Sequence, residues 1–311
     1  MKSENNKTIR SLERKNDLKD GVFFAVMVFV PTLQFIIMYL GVNINSILLA
    51  FQEYDPISAT FKYSISNVNR FITEFSTTTI FTTAIKNSLT ASFFTVAVNM
   101  SLTILFALYV YHKGFANTFF KVALFIPSII SSIVMVKIYA VFCDQAIPKL
   151  IEMLFGVKIE GLLADPKTQW PTIIFFNLWQ GFGPSLLVYV GGMNNISDSV
   201  SEAAHLDGAN VLQETWYITL PLIYSTIVTY VVAGLVAVFM NQLSLYSFYA
   251  DSADRSLYTV GYWIYRSVKT AEGNNAAYPY IAFVGVLCTV ILLPVVFTVR
   301  GLMNKFGPSI E

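Results

Sequence analysis

The chain has 311 residues, of which 55% are hydrophobic and only 13% are charged. A soluble domain carries about 25% charged residues, so this composition argues against a water-soluble protein of the same length. The net charge of +1 gives no reason to expect a nucleic-acid ligand. The 2 cysteines lie in or beside apolar stretches and predict no disulfide framework.

Apolar stretches long enough to cross a bilayer, which takes about twenty helical residues, recur along the chain. They cover residues 22–42, 88–111, 119–142, 172–193, 223–248 and 278–299. Because a helix satisfies its own backbone hydrogen bonds in lipid, we predict an all-α polytopic membrane protein with six transmembrane helices. The transmembrane domain is expected over residues 22–300, between an N-terminal tail (1–21) and a C-terminal tail (301–311).

The first apolar stretch follows a long charged tail and precedes no small-x-small cleavage site, so we interpret it as a retained helix rather than a signal peptide. Cytoplasmic segments of membrane proteins are enriched in lysine and arginine. The basic N-terminal tail therefore predicts that the N-terminus lies in the cytoplasm. Six spans would return the C-terminus to the same side of the cell membrane.

One predicted cytoplasmic loop, at about residues 194–221, contains no lysine or arginine. It carries only acidic charges, at Asp198, Glu202, Asp207 and Glu214. An acidic loop gains nothing from the bias towards basic cytoplasmic segments, so we interpret it as a docking site for a partner protein.

The same loop has the pattern of two short helices joined at a glycine. Ser197 or Ser199 is a candidate N-cap for the first helix. Gly208 interrupts the pattern, as glycine does where the chain needs a positive φ or a close approach. The second helix is expected from Ala209 to about Tyr217. Pro221 would then lie at the start of the fifth span, where its missing N–H costs little.

The loop also carries a spaced motif that resembles the EAA loop of ABC importer permeases. Glu202-Ala203-Ala204 is followed after three residues by Gly208 and after nine more by Ile218-Thr219-Leu220-Pro221. Every fixed position of the family pattern is present at the expected spacing. Asp207-Gly208-Ala209 is the form usual in the sugar-transporting branch.

The resemblance extends over nearly the whole chain. Residues 119–127 (FFKVALFIP) are similar to the start of the third helix in sugar permeases, and residues 47–55 (ILLAFQEYD) to the segment after their first helix. The similarity is to the group that includes the maltose, glycerol-phosphate and lipoprotein-dependent polysaccharide permeases.

This resemblance implies a permease subunit of an ATP-driven importer of sugars or oligosaccharides. Its implied partners are a second homologous permease, two ABC ATPase subunits, an extracellular substrate-binding protein and membrane lipid. ATP and Mg would bind to the ATPases, and this chain would bind no cofactor. The residues implied in coupling to the ATPase are Glu202, Ala203, Ala204, Asp207, Gly208, Ile218, Leu220 and Pro221. The alternative interpretation of the loop is an ordinary amphipathic linker.

A sugar route needs polar and aromatic groups at membrane depth, where unpartnered polar groups are costly. Trp179 and Gln180 in the fourth stretch, and Asn241, Gln242 and Tyr246 in the fifth, have the neutral polar and aromatic chemistry that binds sugars. The alternative is that the polar members only join helices, at about 0.6 kcal/mol per hydrogen bond.

We expect no catalytic residue, metal site or nucleotide-binding site in this chain. The sequence contains no G-x-x-x-x-G-K-[ST], H-E-x-x-H or G-x-S-x-G segment. Within the same architecture, a polyol, a phosphate ester or an amino acid is an alternative substrate. A secondary transporter is a further alternative, but it usually carries intramembrane charges and needs no EAA loop.

Overall fold

The computed structural model describes Lys19 and residues 21–308. The N-terminal tail predicted over residues 1–21 therefore falls almost entirely outside the described residues. The C-terminal tail predicted from residue 301 begins inside a helix, because the last helix continues without interruption to Phe306. The described part of the chain is predominantly helical, which confirms the predicted all-α class.

The chain divides into two compact units, each built from separate stretches of sequence. The first contains the described residues up to Val68 together with Asn275–Val286. The second contains Asn69–Asn274 and the described residues from Leu287 onward. The last helix, Tyr278–Phe306, contributes residues to both units.

The first unit begins with α1 (Gly21–Ala50), an apolar helix of 30 residues. A hairpin follows, in which β1 (Gln52–Asp55) pairs antiparallel with β2 (Thr60–Tyr63). A hydrogen bond from Lys62 holds the pKa of the Asp55 carboxyl well below its usual range. The hairpin was not predicted, because an alternation of apolar and polar residues is hard to recognise in strands of 4 residues.

The remaining helices follow in chain order. They are α2 (Ser66–Thr77), α3 (Ile80–Tyr111), α4 (Asn117–Ile129), α5 (Ser132–Phe155), α6 (Gln169–Asn194), α7 (Asp198–Leu206), α8 (Val211–Leu222), α9 (Tyr224–Val236), α10 (Leu245–Tyr249), α11 (Val260–Thr270) and α12 (Tyr278–Phe306). A short 3₁₀ turn at Arg255–Leu257 precedes α11.

Four helices, α1, α3, α6 and α12, are long and apolar enough to cross a membrane without a break. Two further candidates are bent pairs of helices: α4 and α5, which contain the predicted third span, meet at 102°, and α8 and α9 meet at 64° at Ile223, where the predicted fifth span begins. The described residues therefore provide up to 6 spans if each bent pair counts as one. The predicted third span is thus built from two helices, and the 64° bend lies at the first residue of the predicted fifth span.

The break in the third span follows a proline by three residues. Pro127 lies inside α4 and has no N–H to donate to the preceding turn. Ile130 and Ser131 then adopt extended backbone, with ψ angles of 140° and 130°. One apolar stretch of sequence therefore folds as two helices.

The fifth span, predicted over residues 223–248, is interrupted in its second half. α9 ends at Val236, and α10 begins only at Leu245. Between them, Leu243 and Ser244 have φ angles of 52° and 56°, in the left-handed region that residues other than glycine rarely adopt.

Two clusters of buried side chains form the core of the second unit. The larger joins α5, α6, α11 and the segment before α10, and its most buried members include Val136, Ile173, Phe176, Leu243 and Tyr262. The smaller joins α3, α6 and the start of α9, with Ala107, Leu186, Tyr189, Met193 and Ile223. At Gly183, α6 approaches α4 so closely that a Cβ would collide with its backbone, as is common for small residues between membrane helices.

Candidate coupling loop and transport pathway

The acidic loop between α6 and α9 folds as the two predicted short helices, α7 and α8. Gly208 joins them with a φ of +80°, which confirms the expected left-handed position. The N–H of Gly208 donates to the carbonyl of His205 (3.1 Å), and that of Ala209 to the carbonyl of Ala204 (3.0 Å). This pair of bonds is a Schellman motif, which ends α7 and fixes the direction in which the chain leaves it.

A capping box starts α8 two residues after Gly208. The N–H of Gln213 donates to Asn210 Oδ1 (2.9 Å), and the N–H of Asn210 donates to Gln213 Oε1 (2.8 Å). The helix therefore begins at Val211, not at Ala209 as predicted. Neither Ser197 nor Ser199 caps α7 as expected; Ser197 precedes the helix without a capping bond.

α8 also extends further than predicted, to Leu222. Pro221 consequently lies in the last turn of α8, before the bend at Ile223, and not at the start of the span. The preceding segment, Thr215–Thr219, is widened into a π-helical turn. Proline has no N–H for a regular i→i−4 bond, and a widened turn next to it is consistent with that loss.

The predicted coupling residues occupy two environments. Glu202, Ala203, Asp207 and Gly208 are exposed on and after α7, whereas Ala204 is buried. The remaining members, Ile218, Leu220 and Pro221, are half-buried along α8. The loop thus presents an acidic face on α7 and buries one side of α8, at Glu214, Thr215 and Thr219.

Apolar side chains lie beside the acidic face. Leu206 is 89% exposed and Leu212 is 70% exposed. Within the described residues, Glu202 makes no ion pair. The exposed surface therefore combines free carboxylates with unburied apolar groups, as expected of a surface that another protein covers.

A buried carboxylate connects the two short helices. Glu214 of α8 is only 2% exposed, and its Oε1 accepts a hydrogen bond from Ser201 Oγ of α7 at 2.6 Å. Its Oε2 lies 3.8 Å from Nε2 of His205 and accepts no hydrogen bond from the described residues. The imidazole is held from its other side, because Nδ1 lies 2.7 Å from the carbonyl of Ser201.

Sequence reasoning missed this arrangement. It counted Glu214 only as one of the acidic residues of the loop and assigned no role to His205. Helical spacing offered a signal, because Glu214 lies on the same face of α8 as Ile218 and Leu222, four and eight residues later. A carboxylate on an otherwise apolar helix face requires a buried partner.

Of the predicted pathway residues, Asn241 and Gln242 lie in the break between α9 and α10, Tyr246 lies in α10, and Trp179 and Gln180 lie on α6. Asn241 is engaged in the local structure: its Oδ1 accepts from the N–H of Leu243 (2.8 Å), and its carbonyl accepts from Thr259 Oγ1 (3.0 Å). Asn177 of α6 donates to the carbonyl of Leu243 at 3.1 Å. The contacts of Asn241 are therefore those expected if this residue holds the protein structure together and does not bind sugar.

Gln242 differs from its neighbour. Its Oε1 is buried and has no hydrogen-bond partner among the described residues. Trp179 and Tyr246 both pack against the larger buried cluster, and Gln180 is half-buried on α6. The structure therefore gathers Trp179 and Tyr246 around one cluster and leaves a buried amide oxygen available in the adjacent turn.

The irregular segment is closely packed against α11. A Cβ at Gly261 would collide with the backbone of Met240 and Asn241. Backbone without regular hydrogen bonds is tolerated at membrane depth only where protein buries it or where it lines a water-filled cavity. A cavity of about 30 Å³, lined by Ser88, Ser92, Thr95 and Asn241 among others, lies beside this segment.

Comparison with known proteins identifies the family of the chain. Residues 99–311 match the family described as "Binding-protein-dependent transport system inner membrane component". The match includes the acidic loop and the broken fifth span.

Two similar proteins come from Bacillus subtilis (strain 168). The polygalacturonan/rhamnogalacturonan transport system permease protein YteP is 25% identical over 299 residues, which cover 91% of this chain and 88% of YteP. The arabinooligosaccharides transport system permease protein AraP is 25% identical over 281 residues, which cover 88% of this chain and 86% of AraP.

A solved structure has the same fold. A chain of a bacterial alginate ABC transporter, crystallised in complex with an alginate pentasaccharide-bound periplasmic protein, superposes with a TM-score of 0.74. It is 22% identical in sequence, and the match covers 93% of this chain and 96% of that one. Since the family match covers more than half of its length, this chain belongs to the family of inner-membrane components of binding-protein-dependent transport systems, whose members are ABC permease subunits and not enzymes themselves.

Proposed function

We propose that this chain is one permease subunit of an ATP-driven importer that takes up sugars or oligosaccharides. The observation that carries the proposal is the exposed acidic loop of α7 and α8, with its EAA spacing, inside the region that matches the permease family. The names of similar proteins, which include transporters of pectic and arabinose oligosaccharides, support the substrate class.

The working complex would contain a second homologous permease, two ABC ATPase subunits and an extracellular binding protein that delivers the substrate. The family description refers to binding-protein-dependent transport, and the solved alginate transporter was crystallised with a periplasmic protein. ATP and Mg would bind to the ATPase subunits. This chain would contribute the transmembrane route and the docking loop.

The loop would carry movement from the ATPase into the membrane. The exposed carboxylate of Glu202 would pair with basic side chains of the ATPase, since charge-assisted hydrogen bonds are among the strongest in such contacts. α8 leads through the buried Ile223 directly into α9. ATP binding would move the docked loop, tilt α9 and bias the permease pair towards its outward-open state.

The substrate would pass the break between α9 and α10. The buried amide of Gln242, the amide of Gln180 and the rings of Trp179 and Tyr246 offer the hydrogen bonds and flat apolar faces that sugars require. Gln242 supports this role best, because its Oε1 is buried with no hydrogen bond from the described residues.

The subunit would lie in the cell membrane with both termini in the cytoplasm. The basic N-terminal tail and the C-terminal Arg300 and Lys305 support this orientation. The acidic loop would then face the cytoplasm, where an ATPase can reach it.

The test is reconstitution of the chain in liposomes with its neighbouring permease, ATPase and binding protein. ATP hydrolysis is measured with a panel of arabinose, galacturonic acid, maltose and alginate oligosaccharides, and with a polyol and an amino acid. Stimulation by one oligosaccharide, only when the binding protein is present, is expected. Stimulation only by the polyol or amino acid would overturn the sugar assignment. Failure to assemble with any ATPase would overturn the coupling role and favour a secondary transporter.

A further inference from the structure

A groove between α9 and α12 is lined by no residue of the acidic loop and by none of the break in the fifth span. It has a volume of about 520 Å³. It is lined by Tyr224, Ser225, Val228, Thr229, Val232, Arg300, Asn304 and Pro308. None of these residues belongs to the predicted coupling or pathway sets.

One hydrogen bond joins the start of α9 to the end of α12. The hydroxyl of Tyr224, at the start of α9, donates to the carbonyl of Met303, near the end of α12, at 2.9 Å. Ser225, the next residue of α9, lines the same groove as Arg300 and Asn304. Val228 and Val232 follow one and two turns further along α9, towards the interior of the span. The groove is therefore polar at one end, which we call its polar mouth, and apolar along Val228 and Val232, which we call its apolar depth.

The polar mouth lies at the edge of the apolar part of α12. Residues 278–299 contain no charged side chain, and Arg300 is the first after them. Arg300 is exposed and makes no ion pair within the described residues, and no acidic residue lines the groove. A guanidinium at a membrane boundary, without a carboxylate partner, is complementary to a phosphate, which it binds through two parallel hydrogen bonds.

We propose that this groove binds one anionic phospholipid. Arg300 holds the headgroup phosphate, Ser225 and Asn304 offer further hydrogen bonds in the same groove, and an acyl chain lies along Val228 and Val232. Basic grooves between membrane helices at the cytoplasmic boundary are known to bind anionic headgroups. A lipid fits better than free phosphate, because the apolar depth would otherwise remain uncovered. The proposal does not depend on which substrate the chain transports.

The test measures lipid retained by the full-length chain in detergent, using native mass spectrometry. Phosphatidylglycerol and phosphatidylcholine are titrated separately, and inorganic phosphate is added as a competitor. The variants are Arg300→Gln, Arg300→Lys and the control Lys113→Gln. Lys113 is an exposed lysine in the turn between α3 and α4 and does not line the groove. All variants are first checked for an unchanged thermal unfolding temperature.

We expect the unaltered chain to retain phosphatidylglycerol in preference to phosphatidylcholine. Arg300→Gln should weaken that retention about tenfold or more, because a hydrogen bond to a charged group contributes about 1.5–3 kcal/mol. Arg300→Lys should be intermediate, and Lys113→Gln should match the unaltered chain. Equal retention by Arg300→Gln, or full displacement by inorganic phosphate, would overturn the lipid proposal. Loss of binding in Arg300→Gln and Lys113→Gln alike would show a diffuse charge effect and would also overturn it.

If a partner subunit occupies the groove, the assembled complex should no longer retain phosphatidylglycerol there. Retention is therefore measured on the complex as well as on the single chain. Unchanged retention in the complex supports the lipid. Loss of the Arg300-dependent retention on assembly would assign the groove to a partner subunit instead.

Discussion

The hydroxyl of Ser201 donates a 2.6 Å hydrogen bond to the buried carboxylate of Glu214 and thereby joins the two short helices of the acidic loop. The Schellman motif at Gly208 adds two backbone hydrogen bonds at the junction of the same helices. A rigid loop transmits displacement to α9, whereas a flexible one would absorb it. The contact is thus the structural basis for the coupling role that we propose.

Glu214→Ala should lower the free energy of unfolding by about 1–3 kcal/mol, because it leaves Ser201 without its acceptor in a buried site. Glu214→Gln retains an oxygen for Ser201 and should be less destabilising. Thermal unfolding of the purified chain measures both. Glu202→Ala is the stability control, since Glu202 is exposed. An unfolding temperature of Glu214→Ala equal to that of the unaltered chain would contradict the role of this contact.

Gly208→Ala should destabilise the loop by about 1–2 kcal/mol, because a Cβ is disfavoured in the left-handed region that Gly208 occupies. Gly191→Ala is the matched control. Gly191 is exposed within α6, and no atom lies within 4 Å of the position of an added Cβ. The control should be neutral or slightly stabilising, since alanine favours helices more than glycine. Equal unfolding temperatures for the two variants would refute the backbone argument.

Glu202→Lys should reduce substrate-stimulated ATP hydrolysis by the reconstituted complex by about tenfold or more, because like charges facing each other across an interface cost several kcal/mol. Glu160→Lys makes the same charge change at an exposed position before α6, away from the loop. It should leave hydrolysis unchanged. If both variants behave alike, Glu202 has no specific place in the docking surface.

A comparison of Gln242→Leu with Asn241→Leu should separate an effect on transport from an effect on stability. Asn241→Leu removes the acceptor for the N–H of Leu243 and should cost about 1–3 kcal/mol of unfolding free energy. Gln242→Leu removes a buried oxygen that has no partner among the described residues, so the stability should be unchanged or higher. Uptake of labelled oligosaccharide should nevertheless fall in Gln242→Leu. Undiminished uptake in that variant would exclude Gln242 from the pathway.

Gly261→Ala should destabilise the second unit by about 1–3 kcal/mol, the usual effect of overpacking, because its Cβ would meet the backbone of Met240 and Asn241. Gly301→Ala, in α12, is the control because its Cβ would meet no atom within 4 Å. Thermal unfolding distinguishes them. A Gly261→Ala chain as stable as the control would mean that the segment before α10 can shift freely.

Much of the candidate site could be predicted from local sequence. The two-helix loop and the positive φ of Gly208 follow from capping residues, helix formers and one glycine within about 25 residues of chain. The first and last residues of α8 were predicted less well. The capping box at Asn210 starts the helix later than Ala209, and the π-helical turn before Pro221 lets it continue beyond Tyr217. The partners of Glu214 were missed because its environment depends on how α7 folds back against α8.

The sequence by itself determined the membrane class, the helical fold and the family, because lipid excludes unpaired backbone and long apolar runs can then only be helices. The tertiary structure decided where the third and fifth spans break. The second break is stabilised by contacts between residues distant in the chain: Asn177 reaches the carbonyl of Leu243 across 66 positions, and Thr259 reaches that of Asn241 across 18. The length of an apolar stretch of sequence carries no information about such contacts. The packed fold alone could show that Asn241 and Gln242 lie at an interruption and not along a continuous helix.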